Sequence, residues 1–518
     1  MSRVGNARIK VKASERALLK HPSNNNPDYT PIKRETIKGY NRARPRKQKL
    51  LCYAPFKNMY FGIDGSATAC CYNRTHVFGK FPEHSIHEMW FGEKAKKLGD
   101  YMKCNDLSLG CDGCQYQLEA GNYTGTQAMY FDHYPVNRNE YPSVMQFEMS
   151  NLCNLECDMC SGEFSSLIRK NREGLPEIPC AYNDEFIEQL REFIPHLSYS
   201  KFYGGEPFLI DHYYKIWELM HELNPSIKIE VQTNATILNN RVKDVLDKLN
   251  INLNISLDSL EKSTYEKIRV NANFEKVMSN VDYFVNYKNQ KGTRITMSMC
   301  PMRANWKELP EFVRFANKND ASVFFHMVWN PEHQSLWNLD SNSLQNMVAE
   351  LSKAEIPKRS TTEKRNYKKY MDYLNLIKKW ETDSREREDQ LALEQEQEKI
   401  KRERESLKNQ KLISEKEAYF APKVTSNGAK EVLMTELKRY LASQEISSQD
   451  KQRNLLNDYH EQLNWLSGQL PNELDSESVF ESLLVRRPIE NVARELEKND
   501  RPALLKTAIE YAEKIAEE

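Results

Sequence analysis

Residues 144–160 read VMQFEMSNLCNLECDMC, a short run of alternating apolar and polar side chains that leads into Cys153, Cys157 and Cys160. Alternation at period two marks a strand, so the C-x3-C-x2-C cluster starts just past a strand end. Five similar runs follow: YSKFYG (199–204), IKIEVQT (227–233), LNISLD (253–258), RITMSMC (294–300) and SVFFHMVW (322–329). Between them lie amphipathic helical stretches such as HYYKIWELMHEL and NFEKVMSNVDYFVNYK. Strands alternating with helices predict parallel βα units with right-handed crossovers, built as an open doubly wound sheet or an incomplete barrel. Both architectures carry their chemistry at the C-terminal ends of the strands. That is where the three thiols fall.

Composition narrows what the thiols do. The chain has 518 residues, 39% hydrophobic, with a formal net charge of zero, which gives no argument for a nucleic-acid partner from the whole-molecule field. No apolar run reaches the ~20 residues of a membrane-spanning helix, and the first residues lack a signal peptide's apolar stretch, so the expected location is cytoplasmic, away from any membrane. A reducing compartment does not preserve disulfides. Nine of the 11 cysteines fall between Cys52 and Cys160, a clustering that scattered structural use would not produce and that points to metal.

Five regions are expected. Residues 1–46 form a basic, partly disordered arm; the first 50 residues hold 14 Lys/Arg against 3 Asp/Glu. Residues 47–125 form a small cysteine-rich α+β module, and residues 140–335 the strand–helix core. Residues 340–420 are helical and include a long charged helix. There Leu393, Ile400 and Leu407 recur every seven residues while Gln397 and Arg404 interrupt the seam, which favours a solvated helix over a coiled coil. Residues 425–518 read as a small helical bundle.

A structural zinc site takes four protein ligands, and simple ferredoxin runs are spaced differently. Three thiolates can instead hold a four-iron cluster by three of its irons and leave the fourth iron open to a ligand that is not protein. At this point the chain resembles the radical S-adenosylmethionine (SAM) superfamily. Besides the cysteine triplet, KFYGGEPFL (201–209) matches the family's GGEP segment, VQTNATIL (231–238) its third-strand segment, and ISLDSL with EKIRV (255–270) its fourth-strand serine–aspartate and following arginine, all in the family's order.

The resemblance implies a partial (β/α)6 TIM-like barrel whose [4Fe-4S] cluster, on Cys153, Cys157 and Cys160, is chelated by SAM. It further implies that Gly204 and Gly205 let the backbone approach the methionine moiety, that Glu206 accepts from its amino group, that Arg269 and Ser256 serve its carboxylate, and that Asn234 and Asp258 reach the ribose. Ordinary turn and capping work at strand ends is the competing reading for Ser256, Asp258 and Asn234. Two departures stand out: Met159 occupies the position before the third cysteine where the family is usually aromatic, and Asn234-Ala235 replaces the common Asn-Gly.

The module resembles the SPASM and twitch domains that hold auxiliary iron–sulfur clusters, although here it precedes the core. Cys52, Cys70, Cys111 and Cys114 are the expected ligands of one auxiliary [4Fe-4S] cluster, with Cys71 and Cys104 as substitutes or extra ligands; a zinc knuckle would use the same thiolates.

The implied activity is reductive cleavage of SAM to a 5′-deoxyadenosyl radical that abstracts a hydrogen atom from substrate, for oxidation or cross-linking of a peptide or protein side chain. Dehydrogenation or epimerisation of a small molecule such as a sugar or alcohol is the alternative, and a non-enzymatic electron-transfer or scaffold protein a third. A flavodoxin- or ferredoxin-type reductant is the implied partner. His326 and Tyr203 are candidate proton acceptors, and Cys300 a candidate hydrogen-atom donor, each weighed against plain burial.

Overall fold

The computed structural model describes residues 31–44, 48–444, 446, 448–472 and 474–516. The chain divides into two compact units, 1–386 and 387–518. In chain order the strands are β1 (Asn58–Phe61), β2 (Ser66–Thr68), β3 (Gly79–Lys80), β4 (Val144–Phe147), β5 (Glu156–Cys157), β6 (Tyr199–Phe202), β7 (Lys228–Thr233), β8 (Ile251–Ser256), β9 (Arg269–Val270), β10 (Ile295–Met299) and β11 (Ser322–Phe325).

Nine of these form one sheet in the order β11-β10-β8-β7-β6-β4-β1-β2-β3. The six expected core strands are all present, and each pairs in parallel with its neighbours. They make an open, partial barrel. Period-two alternation sorts their side chains. Ile229, Val231, Met297 and Met299 are fully buried in the main core, whereas Glu148, Gln232, Ser256, Ser298 and His326 point the other way and line a cavity at the strands' C-terminal ends.

The cysteine-rich module is part of the same sheet. β1 pairs in parallel with β4, Tyr60 opposite Gln146 and Phe61 opposite Phe147, and β2 and β3 continue antiparallel. Placement of the module ahead of the core is thus met by adding its strands to the edge beside β4. The opposite edge is blunted: Asn366 Oδ1 accepts from Val323 N at 3.0 Å and Lys369 Nζ donates to Val323 O at 2.6 Å. Both side chains come from the helix Thr361–Asn427, and they occupy groups that would otherwise template another strand.

Of the basic arm, residues 1–30 and 45–47 lie outside the described residues. Within the rest, Arg34–Ala43 is a helix. Its Tyr40 is fully buried against Leu51, Met102 and Leu118, and Arg44 closes a buried ion pair with Asp132 at 2.5 Å. The long charged helix is continuous from Thr361 to Asn427, and its residues 385–412 are exposed. Residues 429–516 form five helices around Leu433, Leu437, Leu463, Val479 and Leu483. Among the described residues no helix is long and apolar enough to cross a membrane.

Candidate active site

A cavity of about 890 Å³ opens at the C-terminal end of the sheet, toward the upper end of the ~300–1,000 Å³ usual for ligand sites. Cys153, Cys157 and Cys160 line it together with Met159, Gly204, Gly205, Asn234, Ser256, Asp258, Arg269, Cys300 and His326. One short ladder orders the cysteine loop: β5 pairs with β9, setting Cys157 opposite Arg269.

Arg269 is buried, binds Asp258 through Nε and Nη2 at 2.8 Å, and points Nη1 at Cys157 Sγ, 3.7 Å away. Asp258 Oδ1 in turn accepts from Cys300 N at 2.7 Å. Both carboxylate oxygens of Asp258 are therefore engaged within the protein. Asp258 holds Arg269 and the end of β10 while it still lines the cavity.

Glu206 is engaged within the protein in a similar way. It is fully buried and does not line the cavity. Its Oε1 accepts from Thr233 Oγ1 at 2.8 Å and Phe208 N at 3.1 Å, and its Oε2 from Asn234 N at 2.7 Å. Glu206 thus ties the end of β6 to the end of β7. Burial outweighs these hydrogen bonds and pushes its carboxyl up to about 7.

The two glycines before it also have a local reason. Both sit at positive φ, and a Cβ on Gly205 would lie 2.2 Å from Leu152 O, one on Gly204 2.8 Å from Ser150 O. The GGEP turn packs directly on the cysteine loop, and Glu206 N donates to Leu152 O at 2.8 Å. Across the cavity the unusual Ala235 keeps the left-handed conformation, φ 60, that glycine adopts freely. It is held there by Thr233 Oγ1 accepting from its N–H at 3.0 Å and by Asn280 Nδ2 donating to its carbonyl at 2.8 Å. Asn234 Oδ1 accepts from Thr236 N and Oγ1, while its Nδ2 donates to Asn154 Oδ1 at 3.1 Å. Met159 packs against Ile268, Met302 and Val328.

Burial pushes the bare thiols up, Cys153 to about 11 and Cys160 to about 12. All three thiols nevertheless face one cavity, as the ligands of a single iron–sulfur cluster must. The donor set therefore fits a cluster held by three cysteines.

The module supplies part of the wall. Cys71, Tyr72 and Arg74 line the same cavity beside Glu148 of the core, and only the proximity of Cys71 to Cys70 hinted at this in the sequence. Tyr60 Oη donates to Glu148 Oε2, and Arg74 bridges Glu148 at 3.3 Å and Glu163 at 2.9 Å. Behind this wall Cys52, Cys70, Cys111 and Cys114 line a separate narrow void, and Tyr72 lines both. Cys104 caps the helix Glu93–Lys103 and lines neither. The structure so separates the two spare cysteines, Cys71 facing the large cavity and Cys104 outside both.

The proton-transfer candidates differ. Tyr203 Oη lies 3.4 Å from Gln146 Oε1, and burial raises its phenol well above the usual range, so it keeps its proton. The Cys300 thiol, half-buried at the cavity wall, is raised likewise by desolvation. His326 Nε2 is buried without a hydrogen-bond partner; desolvation first, then the charges of Lys201 and Arg269, push its imidazole down to about 4, leaving it neutral near pH 7.

The radical SAM superfamily matches residues 147–316, and an iron–sulfur cluster-binding SPASM domain matches residues 52–115. Residues 147–316 are a radical SAM domain, with a SPASM domain ahead of it. The two domains indicate a [4Fe-4S] cluster with SAM and an auxiliary iron–sulfur cluster. Similar proteins include molybdenum cofactor biosynthesis protein 1 of Drosophila melanogaster, 28% identical over 189 residues (35% of this chain, 31% of that protein). GTP 3′,8-cyclase of Sulfurimonas denitrificans is 23% identical over 211 residues (40% of this chain, 62% of that one). The chain thus spans less than two thirds of either relative. Among solved structures, Streptococcus suis SuiB bound to precursor peptide SuiA matches at 16% identity and a TM-score of 0.32, over 52% of this chain and 58% of that one.

Proposed function

We propose that this radical SAM protein oxidises or cross-links a side chain of a peptide or protein substrate held in the large cavity. The observation that carries the reading is the shared wall: the three core thiols face the cavity from one side, and Tyr72 separates it from the four module thiols on another. A substrate radical formed there lies one residue away from an electron acceptor, as net oxidation requires. When bound, the core cluster with SAM supplies an adenosyl radical that takes a hydrogen atom. The chain's own residues do the remaining work. Arg269 stabilises the Cys157 thiolate, Met159 and Val328 present apolar surface, and His326 Nε2 receives the proton that the oxidised substrate gives up.

Exposed Tyr72 and Trp329 on the cavity wall offer flat surfaces to an extended chain. A nucleotide substrate, as the name GTP 3′,8-cyclase implies for that relative, is the second reading. It needs cations free to meet phosphates. Among the described lining residues the two arginines are already taken, Arg74 by Glu148 and Glu163 and Arg269 by Asp258, which favours the peptide.

The test is anaerobic reconstitution with SAM, reductant and either the peptide fraction of a deuterated cell extract or deuterated GTP. Deuterium is expected in 5′-deoxyadenosine from the peptide fraction. Deuterium from GTP alone would overturn the peptide assignment.

A further inference from the structure

Hydrogen-bond donors converge on the sulfurs of the SPASM domain. Ala54 N lies 3.3 Å from Cys52 Sγ, and the backbone N–H groups of Gln127 and Ala128 reach Cys114. At Cys111 the donor is a side chain: Asn73 Nδ2 stands 3.3 Å from Sγ. Asn73 is 1% exposed, and its amide is locked in one orientation. Oδ1 accepts from His76 N at 3.1 Å, and Nδ2 also donates to Leu109 O at 2.8 Å. Turning the amide over would set its NH2 against the His76 N–H and its oxygen against the Leu109 carbonyl. Gly110 closes the pocket at φ +71, where a Cβ would lie 2.4 Å from Asn73 Oδ1. The loop 105–111 and the turn 70–76 are thus clasped through this one amide, which hands its second N–H to a sulfur.

A hydrogen bond to a ligating sulfur withdraws charge from it and raises the reduction potential of an iron–sulfur centre. We propose that Asn73 is a positioning residue that tunes the auxiliary cluster toward accepting electrons, through its N–H to the Cys111 sulfur. The inference rests on the reading of the preceding subsection, in which the substrate radical gives one electron to the oxidised auxiliary cluster and one proton to His326. A flavodoxin- or ferredoxin-type carrier then takes the electron away.

The experiment is an anaerobic redox titration of the reconstituted full chain, followed by electron paramagnetic resonance, for the wild type and Asn73→Leu. Leucine matches the amide in size and adds no charge. At the potential where half of the wild-type auxiliary centre is reduced, the reduced-to-oxidised ratio in Asn73→Leu is expected to be about tenfold lower, which is 59 mV for a one-electron couple. The SAM-binding cluster should titrate unchanged. A ratio within about twofold of wild type, with both clusters loaded, would overturn the proposal. Should Asn73→Leu lose the auxiliary cluster, the wild type decides. With asparagine side chains labelled with 15N, the reduced auxiliary centre is expected to show a nitrogen coupling at Asn73, and its absence overturns the proposal. A wild-type chain with a single paramagnetic centre overturns the underlying two-cluster reading instead, so the two failures are distinguishable.

Discussion

The two thiol sets stand on opposite designs. In the radical SAM domain three cysteines line a cavity of about 890 Å³, with one guanidinium 3.7 Å from Cys157 as the nearest charged donor. In the SPASM domain four cysteines line a narrow void walled by Leu51, Leu98, Met102 and Leu107, with amide donors aimed at the sulfurs. A trio facing open space leaves a coordination position for an outside molecule. On the proposed reading a quartet under an apolar cover leaves none and serves electron transfer. In the proposed function the reactive site is thus the one left short of a fourth ligand, and the relay the one the protein completes.

The sharpest way to break the contrast is Cys157→Ala. Two thiolates do not anchor the cluster, so release of 5′-deoxyadenosine should fall to background; cleavage at the wild-type rate would refute the assignment of the trio. Replacing Cys111 and Cys114 together should act on the other side alone, lowering iron from about eight to about four per chain while SAM cleavage persists without product. An unchanged iron count would leave the quartet as a zinc site or no site.

His326→Gln sharpens the comparison from within the cavity. Removing a positioned base typically costs about 10²–10⁴-fold, so the substrate product should fall by at least about 100-fold. Deuterium transfer into 5′-deoxyadenosine should remain within about twofold of wild type, because abstraction precedes proton loss. Equal losses in both readouts would assign His326 to substrate binding.

The smallest effect concerns Glu206, which braces the trio's neighbourhood. Its carboxyl is raised from 4.5 to about 7 in the folded chain. The stability it contributes is therefore fully present below about pH 4.5 and is lost as pH rises through about 7, on the order of 3 kcal/mol across the window. Chemical denaturation of the wild type and Glu206→Gln should show their stability difference shrinking between pH 5 and pH 8. A constant difference would mean that Glu206 does not titrate there.

Much of the radical SAM domain was legible because its signals are local. Strands such as IKIEVQT alternate at period two, and the structure places β7 at Lys228–Thr233. The cysteine trio, Gly204, Gly205 and Arg269 reach one cavity because each follows a strand end or turn readable from spacing. What escaped was nonlocal. Glu206 is engaged by Thr233, Asn234 and Phe208, so its role depends on a crossover that no window of sequence contains. The glycines are required by Leu152 and Ser150 carbonyls some 50 residues upstream. β1 falls within KNMYFGID, which the sequence reads as a short strand; what the sequence does not show is its pairing with β4, which spans the whole module. Cys71 and Cys104 could not be told apart by spacing, because the distinction is which wall each one faces.

The most direct measurement is electron paramagnetic resonance of the reduced, air-free chain before and after addition of SAM. Two iron–sulfur signals are expected, one that shifts with SAM because its fourth position is open and one that does not because four cysteines close it. Two signals that both ignore SAM, or no iron–sulfur signal at all, would contradict this.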